Sequence, residues 1–269
     1  MSDDSARAAG AADEGRVRLS LREGVAEVVF DRPAARNAMT WAMYEALEDI
    51  CQRLAADPEV RVVLFRGAGG QAFVAGTDIA QFRDFGGGAD GVAYERRIDA
   101  LIDQVASLPM PTLALVEGFA VGGGLAIATA CDFRLATPDA RFGVPIARTL
   151  GNCLSIANVA RLRDAFGTQR VKRMLLLAEL LGADEALGCG YLHGVFARNA
   201  IDQEARTLCA ALAALAPVTQ AVSKEALRRL AQAALPQAED LIRRCYGSDD
   251  FREGVSAFTQ RRPPAWKGL

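Results

Sequence analysis

The chain has 269 residues, 51% hydrophobic and 24% charged, which is enough apolar material for a large core. A formal net charge of −2 and a pI near 5.6 exclude the basic balance that nucleic acid or an anionic membrane surface selects. Apolar runs are shorter than a membrane span, the six cysteines lack metal-ligand spacing, and the single histidine, His193, excludes any site needing two. No metal site, no membrane contact and a cytoplasmic location with reduced thiols are therefore expected.

Residues 1–15 are small and polar without apolar period and read as a disordered leader. VRLSLREGVAEVVF (17–30) alternates as two strands with a turn at Glu23-Gly24. A loop, DRPAARNA, precedes a helix from Thr40, in which Met43, Leu47, Ile50, Cys51 and Leu54 share one face. RVVLFRG (61–67) is a buried strand, AFVAGTDI (72–79) runs from strand into turn, and FGGGADG (85–91) reads as a mobile loop. A helix from about Val92 to Ser107 stops at Leu108-Pro109-Met110-Pro111. TLALVEG is the next strand, followed by GFAVGGG and a helix; DFRLATPDARFGVP returns as strand and loop. From about Asn152 helical periodicity dominates. Strands and helices alternating early, then helices alone, predict an α/β chain with a core over 16–200 and a helical region over 201–269, packed on the core or between subunits.

Three consecutive glycines, Gly122, Gly123 and Gly124, open the helix that follows GFAV. A helix start carries unsatisfied N–H donors and partial positive charge, and glycine lets an anionic or polarised oxygen reach them without meeting a Cβ. A glycine-rich turn that merely packs the helix against its strand fits equally well. No GK[ST] follows, so the stretch is not a nucleotide-phosphate loop.

The pairing of AFVAGTDI with EGFAVGGGLAIA, preceded by DRPAARNAM and PMPTLALVEG and followed by ACDFRLATPDARFGVP, resembles the crotonase superfamily, the enoyl-CoA hydratase/isomerase family. The closing FREGVSAFTQRRPPAWKG is similar to that family's C-terminal motif, and the match runs in order over about 16–268. The resemblance implies a spiral of ββα units, a helical C-terminal trimerisation region, and a homo-trimer or homo-hexamer. It also implies an acyl-CoA substrate, with coenzyme A present as part of the thioester and no permanently bound cofactor. By position, the backbone N–H groups of Thr77 and Gly123 would hold the thioester oxygen. Ala75, Asp78, Ile79, Ala80 and Gly122 would line the pocket. Arg36 would lie near the nucleotide end of CoA, and Phe258 and Arg261 would be offered to it by a neighbouring subunit. Asp78 can equally cap the turn that follows it.

The family's hydratases use two glutamates, one two residues after the last glycine and one directly after the proline of FGxPE; here those positions hold Ala126 and Ile146. Neither can move a proton, so ordinary hydration is not implied. Isomerisation, decarboxylation, hydrolysis and C–C cleavage stay open, as does a CoA-ester-binding protein with little catalysis. Arg148, Asn152, Cys153 and Ser155 are the polar groups of the altered loop that follows. Arg148 is a candidate substrate contact, and Cys153 or Ser155 a candidate catalytic replacement, against an ordinary buried thiol at Cys153. Glu117 reads as a carboxylate bonding nearby backbone donors.

Overall fold

The computed structural model describes residues 14–233 and 237–267. The expected leader, apart from its last two residues, lies outside them. β1 (Arg16–Arg22) and β2 (Val25–Asp31) form the antiparallel hairpin, with Glu23 and Gly24 both at positive φ in the turn. Ala26, Val28 and Phe30 of β2 are buried, as period-two alternation requires. Thr40 caps α1 (Trp41–Ala56) by accepting from Met43 N–H, and the predicted stripe of that helix faces the core.

The chain then makes three similar turns, each of two strands and a helix. The first holds β3 (Val62–Gly67), β4 (Ala72–Ala75) and α2 (Gly88–Ser107); the second holds β5 (Thr112–Val116), β6 (Phe119–Val121) and α3 (Gly123–Ala130). The third holds β7 (Phe133–Ala136), β8 (Arg141–Gly143) and a short helix, α4 (Ile146–Thr149). Each turn adds one strand to each of two sheets. One sheet is ordered β1-β2-β3-β5-β7-β10 and the other β4-β6-β8-β9, where β9 is Leu180–Gly182 and β10 is Gly194–Val195. Pairing within the spiral is parallel; only β1 and β9 run against their neighbours.

Both faces of the larger sheet are covered, which accounts for the continuous apolar runs in β3 and β5. Val63 and Phe65 face the main core, while Val62 and Leu64 pack with Leu113, Leu115 and Leu135 against α8. Three helices precede it, α5 (Ile156–Phe166), α6 (Thr168–Leu176) and α7 (Ala183–Gly188); α8 itself is Ile201–Ala213. Beyond it lie α9 (Pro217–Gln232), α10 (Glu239–Tyr246) and α11 (Asp249–Thr259). Among the described residues no single helix is long and apolar enough to cross a membrane.

Three expectations are corrected. The last third is not purely helical, because β9 and β10 complete the two sheets; two- and three-residue strands leave too little periodicity to read. The FGGGADG stretch is not simply a loop: α2 starts at Gly88, with Asp90 accepting from the N–H groups of Gly86 and Gly87. A Cβ at Gly91 would lie 2.2 Å from the Tyr246 ring, so the glycines there let α10 close onto α2. Glu117, finally, pairs with two guanidinium groups, Arg66 at 3.2 Å and Arg198 at 2.9 Å, rather than with backbone donors.

Candidate active site

Strand register brings the two glycine-bearing turns together. Ala75 of β4 is paired with Val121 of β6, so Thr77 and Gly123 each lie two residues beyond the last matched pair. Gly76 and Gly122, between pair and donor, both have positive φ, at 94° and 55°, and turn the chain away from its sheet. On the other side Met39 N–H donates to Gly76 O and Asp78 N–H donates to Met39 O, a parallel bridge that leaves the Thr77 N–H directed away from Met39. Gly123 is the first residue of α3, where an N–H has no intrahelical acceptor. The two N–H groups thus come from neighbouring turns of one spiral.

The triple glycine has three separate causes. Gly122 takes the positive φ. A Cβ at Gly123 would meet the Tyr44 hydroxyl at 2.7 Å, and one at Gly124 would sit 2.0 Å from the Val74 carbonyl oxygen. Beneath the donors, Tyr44 OH and Tyr94 OH both bond the Thr77 hydroxyl, at 2.7 and 2.9 Å. Burial pushes the Tyr44 phenol up to about 12 and the Tyr94 phenol well above its usual value, so both stay protonated.

These groups open onto a cavity of about 840 Å³. Arg36, Ala75, Thr77, Asp78, Ile79, Ala80, Gly122 and Gly123 all line it, and so do Phe258 and Arg261. The last two line it from the same chain. α11 folds back over the Ile79–Phe82 turn, with the Phe251 and Phe82 rings 6.1 Å apart edge to face. Arg36, Arg83 and Arg261 are exposed lining residues, and among the described residues none of them has a carboxylate partner. Ala126 and Ile146 also line the cavity.

The remaining candidates have other occupations. Asp78 forms an ion pair of 2.7 Å with the buried Arg32 and caps the following 3-10 turn through Ala80 N–H, so it both lines the cavity and closes the turn. Ser155 caps α5 by accepting from Asn158 N–H, while its hydroxyl donates to Asp99 at 2.6 Å. The neighbouring Cys245 thiol and desolvation both push the Cys153 thiol up, so it keeps its proton. Neither Cys153, Ser155 nor the exposed Arg148 lines the cavity. His193 is exposed, its ring edge-on to Phe133, and remote from it. Among the described residues no cluster of His, Cys, Asp or Glu is arranged to hold a metal ion.

Of the opposite wall, sequence reasoning named Asn152 and missed the rest. Tyr94, Glu95 and Ile98 of α2 line the cavity with Asn152, Leu154 and Asn158. Glu95 is only 3% exposed. It accepts from Tyr246 OH at 2.7 Å and from Ser155 N–H at 2.8 Å, and burial raises its carboxyl from about 4.5 to about 7. One signal was present in the sequence: Glu95 falls on the same helical stripe as Ile98 and Ile102, where an acid is out of place.

A two-sheet ββα spiral carrying paired backbone donors at adjacent turns defines the crotonase fold. The enoyl-CoA hydratase/isomerase family model matches residues 20–269, and the chain belongs to that family. It is 30% identical to the human mitochondrial enoyl-CoA hydratase domain-containing protein 2, over 97% of this chain and 95% of that one. Identity is also 30% to a short-chain-enoyl-CoA hydratase of Clostridium acetobutylicum, over 90% and 94% of the two chains. Among solved structures, a methylmalonyl-CoA decarboxylase in complex with 2-nitronate-propionyl-CoA superposes with a TM-score of 0.87 at 25% identity, covering 94% of this chain and 99% of that one.

Proposed function

We propose that the protein is an acyl-CoA enzyme that stabilises a thioester enolate at the N–H groups of Thr77 and Gly123 and is not an efficient hydratase. The single observation carrying this reading is the survival of the converging donors beside a wall where Ala126 and Ile146 leave no acid or base. Developing negative charge on a thioester oxygen is stabilised by fixed N–H dipoles that need no reorganisation. Hydration needs in addition one group to activate water and another to handle the proton at C2. Reactions in which the departing group leaves its electron pair at C2, such as loss of carbon dioxide, need the oxygen site and a proton for C2, which solvent water supplies. The exposed Arg36, Arg83 and Arg261 supply positive charge for the phosphates of CoA, and the buried groups beyond Thr77 suit the acyl end.

The test is a panel of acyl-CoA thioesters assayed for hydration, decarboxylation, thioester hydrolysis and exchange of the C2 proton in deuterium oxide. Exchange or carbon dioxide release without hydration supports the proposal. Tight CoA-ester binding with no turnover of any kind supports instead a non-catalytic carrier, the reading that the apolar Ala126 and Ile146 would then favour.

Self-association through α9 belongs to the same proposal. No residue of that helix is buried, and Val218, Val222, Leu227 and Leu230 are between 64% and 74% exposed. Apolar side chains of that size left exposed along one helix call for a cover. A trimer or hexamer is expected by light scattering at micromolar concentration, and a monomer there would overturn this part.

A further inference from the structure

Resting on the acyl-CoA reading, we infer that Tyr44 and Tyr94 are positioning residues: gripping the Thr77 hydroxyl between them, they aim the Thr77 N–H at the thioester oxygen. Among the described residues that N–H donates to no acceptor. Its backbone neighbours are tied on either side, Gly76 O and Asp78 N–H both bonding Met39, while Thr77 itself is held by its side chain. The Tyr44 and Tyr94 hydroxyls bond Thr77 Oγ1 at 2.7 and 2.9 Å, from α1 and α2, 33 and 17 residues away in the chain. Threonine is β-branched and stiff at χ1, so fixing its hydroxyl also fixes the direction in which the residue turns its N–H. Gly76 before it, at a φ of 94°, supplies no such restraint.

Both phenols stand on rigid supports. They are buried, Trp41 packs against each ring at 5.8 Å between centroids, and Phe82 meets the Tyr94 ring at 4.9 Å. Tyr44 also gauges the second donor. Its hydroxyl lies 2.7 Å from the point a Gly123 Cβ would occupy, and Thr77 Oγ1 lies 3.4 Å from the same point. One hydroxyl cluster therefore packs against both of the turns that carry the paired N–H groups. An oxygen site works through donors already in place before charge develops, and small misplacements of a donor are costly to rate. A second buried phenol–threonine pair shows the contrast. Tyr191 OH meets Thr129 Oγ1 at 3.1 Å, but Thr129 lies inside α3, where the helix sets its backbone, and Tyr191 does not line the cavity.

The test is the infrared frequency of the thioester carbonyl, isotopically labelled in butyryl-CoA or in the tightest binder of the acyl-CoA panel, on the full-length protein. Donors at the oxygen lower that frequency, so binding to wild type should shift it down. Tyr44→Phe/Tyr94→Phe removes both hydroxyls and keeps both rings. It should still bind the ester and lose roughly half of the shift, the share of one donor out of two. Its kcat for C2 proton exchange should fall about tenfold with KM within about threefold, as for an interaction made in the transition state. Tyr191→Phe removes a hydrogen bond of the same kind and should leave both readouts at their wild-type values. A full wild-type shift in the double variant overturns the inference and leaves the acyl-CoA reading standing, because a merely structural grip lowers urea stability without moving this frequency. An equal loss in Tyr191→Phe also overturns it. Where the double variant does not fold or bind, the two single variants decide: part of the shift lost in each supports the inference, and none lost in either overturns it. No shift in wild type removes the oxygen site and this inference with it. Binding of no panel member removes the acyl-CoA reading as well.

Discussion

The two walls of the cavity are built on opposite principles. The wall of Thr77 and Gly123 works through its backbone: side chains are excluded, and two turns of the spiral bring N–H groups side by side. The facing wall, Tyr94, Glu95 and Asn152, works through side chains drawn from α2 and the segment leading into α5, with Tyr246 of α10 bonded behind them. The first depends on where the chain turns and on its glycines. The second exists only while α10 stays packed on α2. On the proposed reading, the backbone wall carries the chemistry and the side-chain wall meets the acyl group.

Breaking the backbone wall should have the largest effect. Gly123→Val places a branched side chain against the Tyr44 hydroxyl and over the oxygen site, and turnover of the best thioester should fall by at least about 10² to 10³. Undiminished turnover in steady-state kinetics would mean that the Gly123 N–H is not part of the oxygen site.

Next comes the wild-type protein on crotonyl-CoA. With Ala126 and Ile146 in place of acid and base, hydration followed spectrophotometrically should run at least about 10³ below a hydratase carrying both glutamates. Efficient hydration would transfer the proton work to the facing wall, with Glu95 the first residue to replace.

The side-chain wall is tested by pH. Glu95 binds its proton more tightly folded than unfolded, so its contribution is fully present below about pH 4.5 and is lost as pH rises through about 7. Across that window wild type should lose up to roughly 3 kcal/mol relative to Glu95→Gln in urea unfolding, an upper bound from the size of the shift. Parallel pH profiles for the two proteins would show that the carboxyl titrates normally.

The smallest effects should come from the loop residues that sequence singled out. Ser155→Ala removes a helix cap and should cost about 1 kcal/mol of stability, and Cys153→Ser still less, with turnover in both within about threefold of wild type. Loss of turnover with the fold intact would restore a catalytic part to either residue and blur the contrast between the walls.

Much of this protein follows from local sequence. The hairpin around Glu23-Gly24, the Thr40 cap, the apolar stripe of α1 and the buried runs of β3 and β5 are short-range patterns. So are the two glycine turns, and the absence of glutamate at 126 and 146 is visible without any coordinates. Tertiary structure decided the rest, because it depends on contacts between segments far apart in the chain. Glu95 meets Tyr246 across 151 residues and Ser155 across 60, and nothing near Glu95 in the sequence names either partner. The same distance explains why FGGGADG reads as a loop: Gly91 makes room for a ring 155 residues away. It also explains why Phe258 and Arg261 end at their own chain's cavity, since α11 is held there by ring packing between Phe251 and Phe82. Backbone conformation is set largely by neighbours in sequence, whereas the environment of a buried polar group is set by whatever the fold packs against it.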